Sequence, residues 1–167
     1  HNVTVLTHKQ DFNYDEFLKF HNLIIKDFVL GKWKSVDGNN LFNKAVRFLL
    51  KYLFLYPDIQ LASMLRRFLK NEYGYDLLIS IAVPYPVHWG VALAKQNNPD
   101  LCKTWVADCG DPFMGNKENK FAHPFYFRFI ETWFCKKADF ISVPIPEAIT
   151  AYPSSCRHKI KVIPQGF

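Results

Sequence analysis

No stretch of this sequence is long and apolar enough to cross a bilayer. The most apolar run, AVRFLLKYLFLY at residues 45–56, has 12 residues and contains Arg47 and Lys51, whereas a spanning helix needs about 20 apolar residues. The chain opens His1-Asn2-Val3, with no initiating Met and no basic segment ahead of an apolar one, so no signal peptide is visible. Cysteine is sparse. Cys102, Cys109, Cys135 and Cys156 stand at irregular intervals without a C-x-x-C pair, and Cys156-Arg157-His158 is the one close Cys/His pair. A structural zinc needs four soft ligands at turn-compatible spacing, so no metal is expected. The thiols read as free, in a reducing, cytoplasmic compartment. No block of five or more like charges occurs, which argues against a nucleic-acid-binding tail. There is no G-x-S-x-G, no G-x-G-x-x-G and no P-loop pattern, which speaks against some other doubly wound enzyme such as a phosphatase or hydrolase.

What is present reads as one soluble domain over residues 1–167. Apolar residues make up 49% and charged residues 22% of the chain, enough for a real core. Aromatics reach 17%, and the 16 Phe residues concentrate in 12–68 and 113–140. Some of that apolar surface is expected to cover something other than the domain's own core. The net charge of +6 points to phosphate-bearing or anionic-surface partners.

Short β-type runs recur at VTVL (3–6), DLLISIAV (76–83), TWVAD (104–108), DFISVP (139–144) and KVIP (161–164). Most are continuously apolar, as in strands covered on both faces of a parallel sheet. Residues 8–40 are ambiguous, with an extra strand expected near Leu23 to Ile25 or Phe28 to Leu30. Helical segments alternate with the strands at 40–56, 59–74, 88–97 and 123–138, with a short one at 146–152. This alternation predicts βαβ units and a Rossmann-like, doubly wound, mainly parallel α/β sheet. Ligands of such sheets bind beyond the carboxyl ends of the strands. Asp108, Asp111, Pro84 to His88, Pro144 and Gln165-Gly166 all fall at such ends and are expected to converge.

Several phrases resemble one family. HNVTVLT (1–7), YDLLISIAVPYPVHWGVALAKQ (75–96), WVADCGDPF (105–113), KKADFISVP (136–144) and HKIKVIPQGF (158–167) are similar, in this order, to segments of the N-terminal domain of GT-B glycosyltransferases of the retaining family-four type. The chain departs from that pattern at Gln165, where the family usually has Asn. The family's first strand, Gly-rich loop and first helix would precede His1, and its donor-binding domain would begin after Phe167. The resemblance therefore implies the acceptor-side half of a longer enzyme, a fragment inactive by itself, with an open sheet edge that a neighbour or second copy could fill. It implies a nucleotide sugar as donor substrate and a saccharide or lipid-linked acceptor. It also implies retained configuration and no bound metal or resident cofactor.

Each candidate site residue carries two readings. Asp108 and Asp111 are either turn and cap residues or carboxylates facing an acceptor hydroxyl. In the second reading Asp108 is the catalytic candidate and Asp111 shapes the loop. His88 is either packed or placed at a helix start within reach of a phosphate. The functional reading has Asp108 and His88 look into one hollow. Trp89 and Gly90 then offer a sugar-stacking face and a close backbone approach, and Pro84, Gln165 and Gly166 line the same lip. Lys117, with Lys120 in the polar loop 115–125, would meet a phosphate-bearing acceptor. Lys44, Arg47 and Lys51 share one helix face, either a solvated stripe or a contact with an anionic membrane. The rival to an enzyme is a non-catalytic binding or assembly module with the same fold.

Overall fold

The computed structural model describes residues 2–8, 18, 23–28, 40–82, 84–115 and 123–164. The apolar runs become parallel strands, as the sequence leads one to expect. β1 (Val3–His8) and β2 (Leu23–Phe28) pair in parallel as a two-stranded sheet, from Val3 opposite Leu23 to His8 opposite Phe28. β3 (Tyr75–Ile81), β4 (Cys102–Asp108), β5 (Phe140–Val143) and β6 (Ile160–Val162) form a four-stranded parallel sheet in that spatial order. The chain groups into two compact units, His1–Ser35 and Val36–Phe167, each with its own sheet. The larger unit carries the candidate site.

Its helices are α1 (Leu41–Phe54), α2 (Gln60–Phe68), α3 (Pro86–Asn97) and α4 (Phe127–Lys137). Two of them, α1 and α3, start for a local reason. Asn40 caps α1, its side chain accepting from the Asn43 N–H at 2.8 Å. Pro86 occupies the first turn of α3, where no N–H partner is lost. The segment expected as a helix at 146–152 is a 3-10 stretch, Pro146–Ala151.

Strand alternation sorts the residues of the sheet into two faces. One face carries Ser80, Trp105, Ala107, Ile141, Val143 and Ile160, all buried. α3 and α4 supply Trp89, Val91, Ala92, Phe127 and Phe134 to the core of this unit, also buried. The other face of β3 carries Leu77, Ile79 and Ile81, which are exposed, as is Phe140 of β5.

Gly90 sets the spacing between α2 and α3. A Cβ there would stand 2.8 Å from the Leu65 Cβ and 3.0 Å from the Ala62 carbonyl oxygen. The two helices therefore touch backbone to side chain at this point. Lys95 of α3 pairs with Asp139, which also accepts from the Trp105 N–H at 2.8 Å, tying the helix to the middle of β4 and the start of β5.

Candidate functional site

Parallel pairing puts the carboxyl ends of β3 to β6 on one edge. In register there stand Ile81, Asp108, Ser142 and Lys161. Asp108 is the last residue of β4 and is half-buried. The Ser142 hydroxyl donates to its Oδ1 at 2.6 Å, and the Asp108 carbonyl accepts from the Ala82 N–H at 3.1 Å. The Cys109 N–H donates to the Ser142 carbonyl at 2.9 Å, continuing the ladder one residue past the strand. The carboxylate is thus oriented from one side by Ser142. Ser142 escapes a sequence reading because DFISVP looks uniformly apolar, although period two puts it on the face of Phe140.

The loop after β4, residues 109–115, is held from beneath. The Tyr85 hydroxyl donates to the Asp111 carbonyl and lies 3.2 Å from the Tyr152 hydroxyl. Phe113 is buried between Tyr85, Trp89 and Phe127. Gly115 lies against the Pro146–Ala151 stretch, and a Cβ on it would stand 2.4 Å from the Ala151 Cβ. Asp111 itself is exposed. It sits in the turn that the sequence assigned to it, with its backbone, not its carboxylate, in the fixed contact.

Glu131 of α4 is the residue that sequence reasoning missed. It is buried, and its carboxylate accepts from the Met114 N–H at 3.2 Å, while the neighbouring Phe113 N–H also favours its charged form. Burial raises its pKa from the ordinary 4.5 to about 7, against the lowering effect of those N–H groups and of Arg128. The signal was its spacing. Glu131 lies four residues after Phe127 and three before Phe134, on the buried stripe of the helix.

His88 takes the packed one of its two readings and does not open onto the lip. It is fully buried on the helix-covered face, stacked on Phe134 at 5.5 Å between ring centres. Its Nδ1 lies 2.8 Å from the Ser80 hydroxyl, and its Nε2 lies 3.5 Å from the Cys109 sulfur. Ser80 also accepts from the Trp105 indole N–H at 2.8 Å. This pattern assigns the ring proton to Nε2, with Ser80 donating to Nδ1. Burial holds the His88 pKa down at about 3 and pushes the Cys109 thiol up to about 12. Asp108, by alternation with Ala107, belongs to the opposite face. The two residues do not share a hollow.

Trp89 and Gly90 are corrected likewise. Trp89 is buried, stacked on Phe127 at 5.8 Å, and what approaches Gly90 is helix α2, not a sugar. Pro84 lies half-buried where the chain leaves β3 for α3, and its carbonyl accepts from the Val87 N–H. Lys117, Lys120, Gln165 and Gly166 lie outside the described residues. The structure therefore brings Asp108, Asp111 and Pro84 to one edge, adds Ser142 and Glu131, and moves His88, Trp89 and Gly90 into the core. Among the described residues no group of three or more His, Cys, Asp or Glu side chains could hold a metal ion.

No protein-family model matches this sequence, and neither a curated protein nor a solved structure matches it.

Proposed function

We propose that this chain is the acceptor-side, N-terminal domain of a retaining glycosyltransferase of GT-B architecture. It would position a saccharide or lipid-linked hydroxyl for transfer of a sugar from a nucleotide-sugar donor. The observation that carries the reading is Asp108. It ends a strand on the carboxyl edge of a parallel sheet, half-buried, with Ser142 orienting one oxygen. A carboxylate so placed accepts a hydrogen bond from an incoming hydroxyl and fixes its approach. Asp111 and Pro84 shape the same lip. Glu131 and Tyr85 act behind it by holding the loop in place. His88, Trp89 and Gly90 have no part in binding in this reading. Four free, buried thiols support a reducing, cytoplasmic setting. Among the described residues no helix is long and apolar enough to cross a membrane.

The test is sugar transfer by the protein that carries this chain, assayed with a labelled nucleotide sugar. Asp108→Asn should lower kcat/KM by about 100-fold, with unfolding unchanged. Asp111→Asn should have a smaller effect. Undiminished transfer by the Asp108 variant would sink the assignment. Saccharide binding without any transfer would favour the non-catalytic module.

A further inference from the structure

We propose that Cys109 is a positioning residue of the candidate site: its buried thiol fixes the course of the chain at Asp108 and so the aim of the Asp108 carboxylate. This rests on the reading of Asp108 as the carboxylate that faces the acceptor, and adds a residue that touches no ligand. Successive residues at the end of β4 point to opposite faces of the sheet. Asp108 stands on the face of Ser142, and Cys109 is fully buried against the helices. The next residue gives no hold. A Cβ on Gly110 would meet nothing within 4 Å, so no packing fixes the chain there, and glycine has the most backbone freedom to lose. Between β4 and Asp111 the Cys109 side chain is therefore the anchor.

The anchor is one link of a hydrogen-bond chain with a single direction. The Trp105 indole N–H donates to the Ser80 oxygen at 2.8 Å, and the Ser80 hydroxyl donates to His88 Nδ1 at 2.8 Å. The His88 Nε2–H then faces the Cys109 sulfur at 3.5 Å. Burial keeps Cys109 a thiol, so it retains an S–H to give. The Tyr152 and Tyr85 hydroxyls interact with that thiol. Tyr85 sends its own proton to the Asp111 carbonyl, which leaves its oxygen free to accept. Every donor thus points from the sheet toward the lip, and Trp105, Ser80, His88, Cys109 and Tyr85 are all buried. Such a chain is costly when incomplete and rigid when complete. Packing alone does not call for it, since apolar groups in place of buried hydrogen-bond partners can be nearly neutral for stability. What the chain adds is a fixed relation between the core and the two residues that flank Gly110. The Cys109 N–H, donating to the Ser142 carbonyl at 2.9 Å, ties the same point to the residue that orients Asp108.

The experiment separates packing from hydrogen bonding in the protein that carries this chain. Cys109→Val keeps an apolar group and removes donor and acceptor, whereas Cys109→Ser keeps both. With a labelled nucleotide sugar, Cys109→Val should lower kcat/KM about tenfold, and Cys109→Ser by no more than about threefold. Added to Asp108→Asn, Cys109→Val should cost nothing further, because it acts through that carboxylate. Amide hydrogen exchange supplies a readout free of sugar transfer. The Ala82 N–H is held by the Asp108 carbonyl at 3.1 Å. Its exchange should rise about tenfold in Cys109→Val and stay unchanged in Cys109→Ser. Valine serving as well as serine, or losses that add in the double variant, would overturn the proposal. Undiminished transfer by Asp108→Asn would end the Asp108 reading instead. Exchange at Ala82 then decides on Cys109 alone, and equal exchange in its two variants would count against it. If Cys109→Val does not fold, Tyr85→Phe takes its place, keeping the ring and removing the last donor of the chain. It should lower transfer and raise exchange at Ala82 likewise, and no change in either would overturn the proposal.

Discussion

At the scale of single residues, two buried titratable groups pull stability in opposite directions with pH. Glu131 has a folded-state pKa near 7 against an ordinary 4.5. Its contribution is fully present below about 4.5 and lost as pH rises through 7. His88 has a folded-state pKa near 3 against an ordinary 6.5. Its contribution is present above 6.5 and lost as pH falls below it. Between about 4.5 and 6.5 the two slopes, each at most about 1.4 kcal/mol per pH unit, largely cancel. Glu131→Gln removes one of them. We expect urea unfolding of that variant to show stability falling steadily on acidification below pH 6.5, where the parent is nearly flat. A flat profile in the variant would contradict the assignment. His88→Ala should cost roughly 3 kcal/mol through the cavity and the lost partner of Ser80, measured by the same unfolding experiment. Glu131 left only a spacing signal on its helix, and the surroundings of His88 were not legible in sequence. PYPVHWG reads as a strand-to-helix lip, and the burial of His88 depends on Ser80, Trp105 and Cys109, which no local pattern brings to it. Asp108 was legible because a strand end followed by Cys-Gly-Asp-Pro is a local event.

At the scale of elements, the strands were legible because the apolar runs are short and separated by helical stretches. What a helix faces was not. Gly90 sits in a small-residue stretch that any ligand or any helix could approach, and only the position of α2 decides between them. Gly90→Ala would drive a methyl against Leu65 and the Ala62 carbonyl. Because one neighbour is backbone, relief needs the helices to part. A loss of about 1–3 kcal/mol is expected in thermal or urea unfolding. Gly115→Ala meets the Cα, Cβ and carbonyl of Ala151. It should loosen the 109–115 loop over α4 and raise amide hydrogen exchange at Met114, whose N–H is held by Glu131. Unchanged exchange there would mean that Gly115 does not register the loop.

At the scale of the whole molecule, apolar surface is distributed in a way that the composition only hinted at. The high aromatic content does not all enter the core. Part of it covers α1 and the start of α4, while aliphatic residues cover the outer face of β3. Among the described residues β3 is an edge strand, with β4 pairing on one side only. It carries no Pro and no Gly, its one charge is Asp76, and Asp76 is paired with Lys103. Edge strands of folded proteins are usually blunted by a lysine, a proline or a bulge, and this one has none of those within Tyr75–Ile81. Net charge of +6 opposes association at low salt. Raising salt removes that opposition while leaving the apolar stripe intact. Self-association that grows with salt is therefore expected. Ile79 is 56% exposed at the centre of the stripe, so Ile79→Lys should move stability by no more than about 0.5 kcal/mol. Sedimentation velocity at rising salt should show the parent chain associating and the Ile79→Lys variant staying monomeric. If both associate alike, the β3 edge is not the surface through which the copies meet.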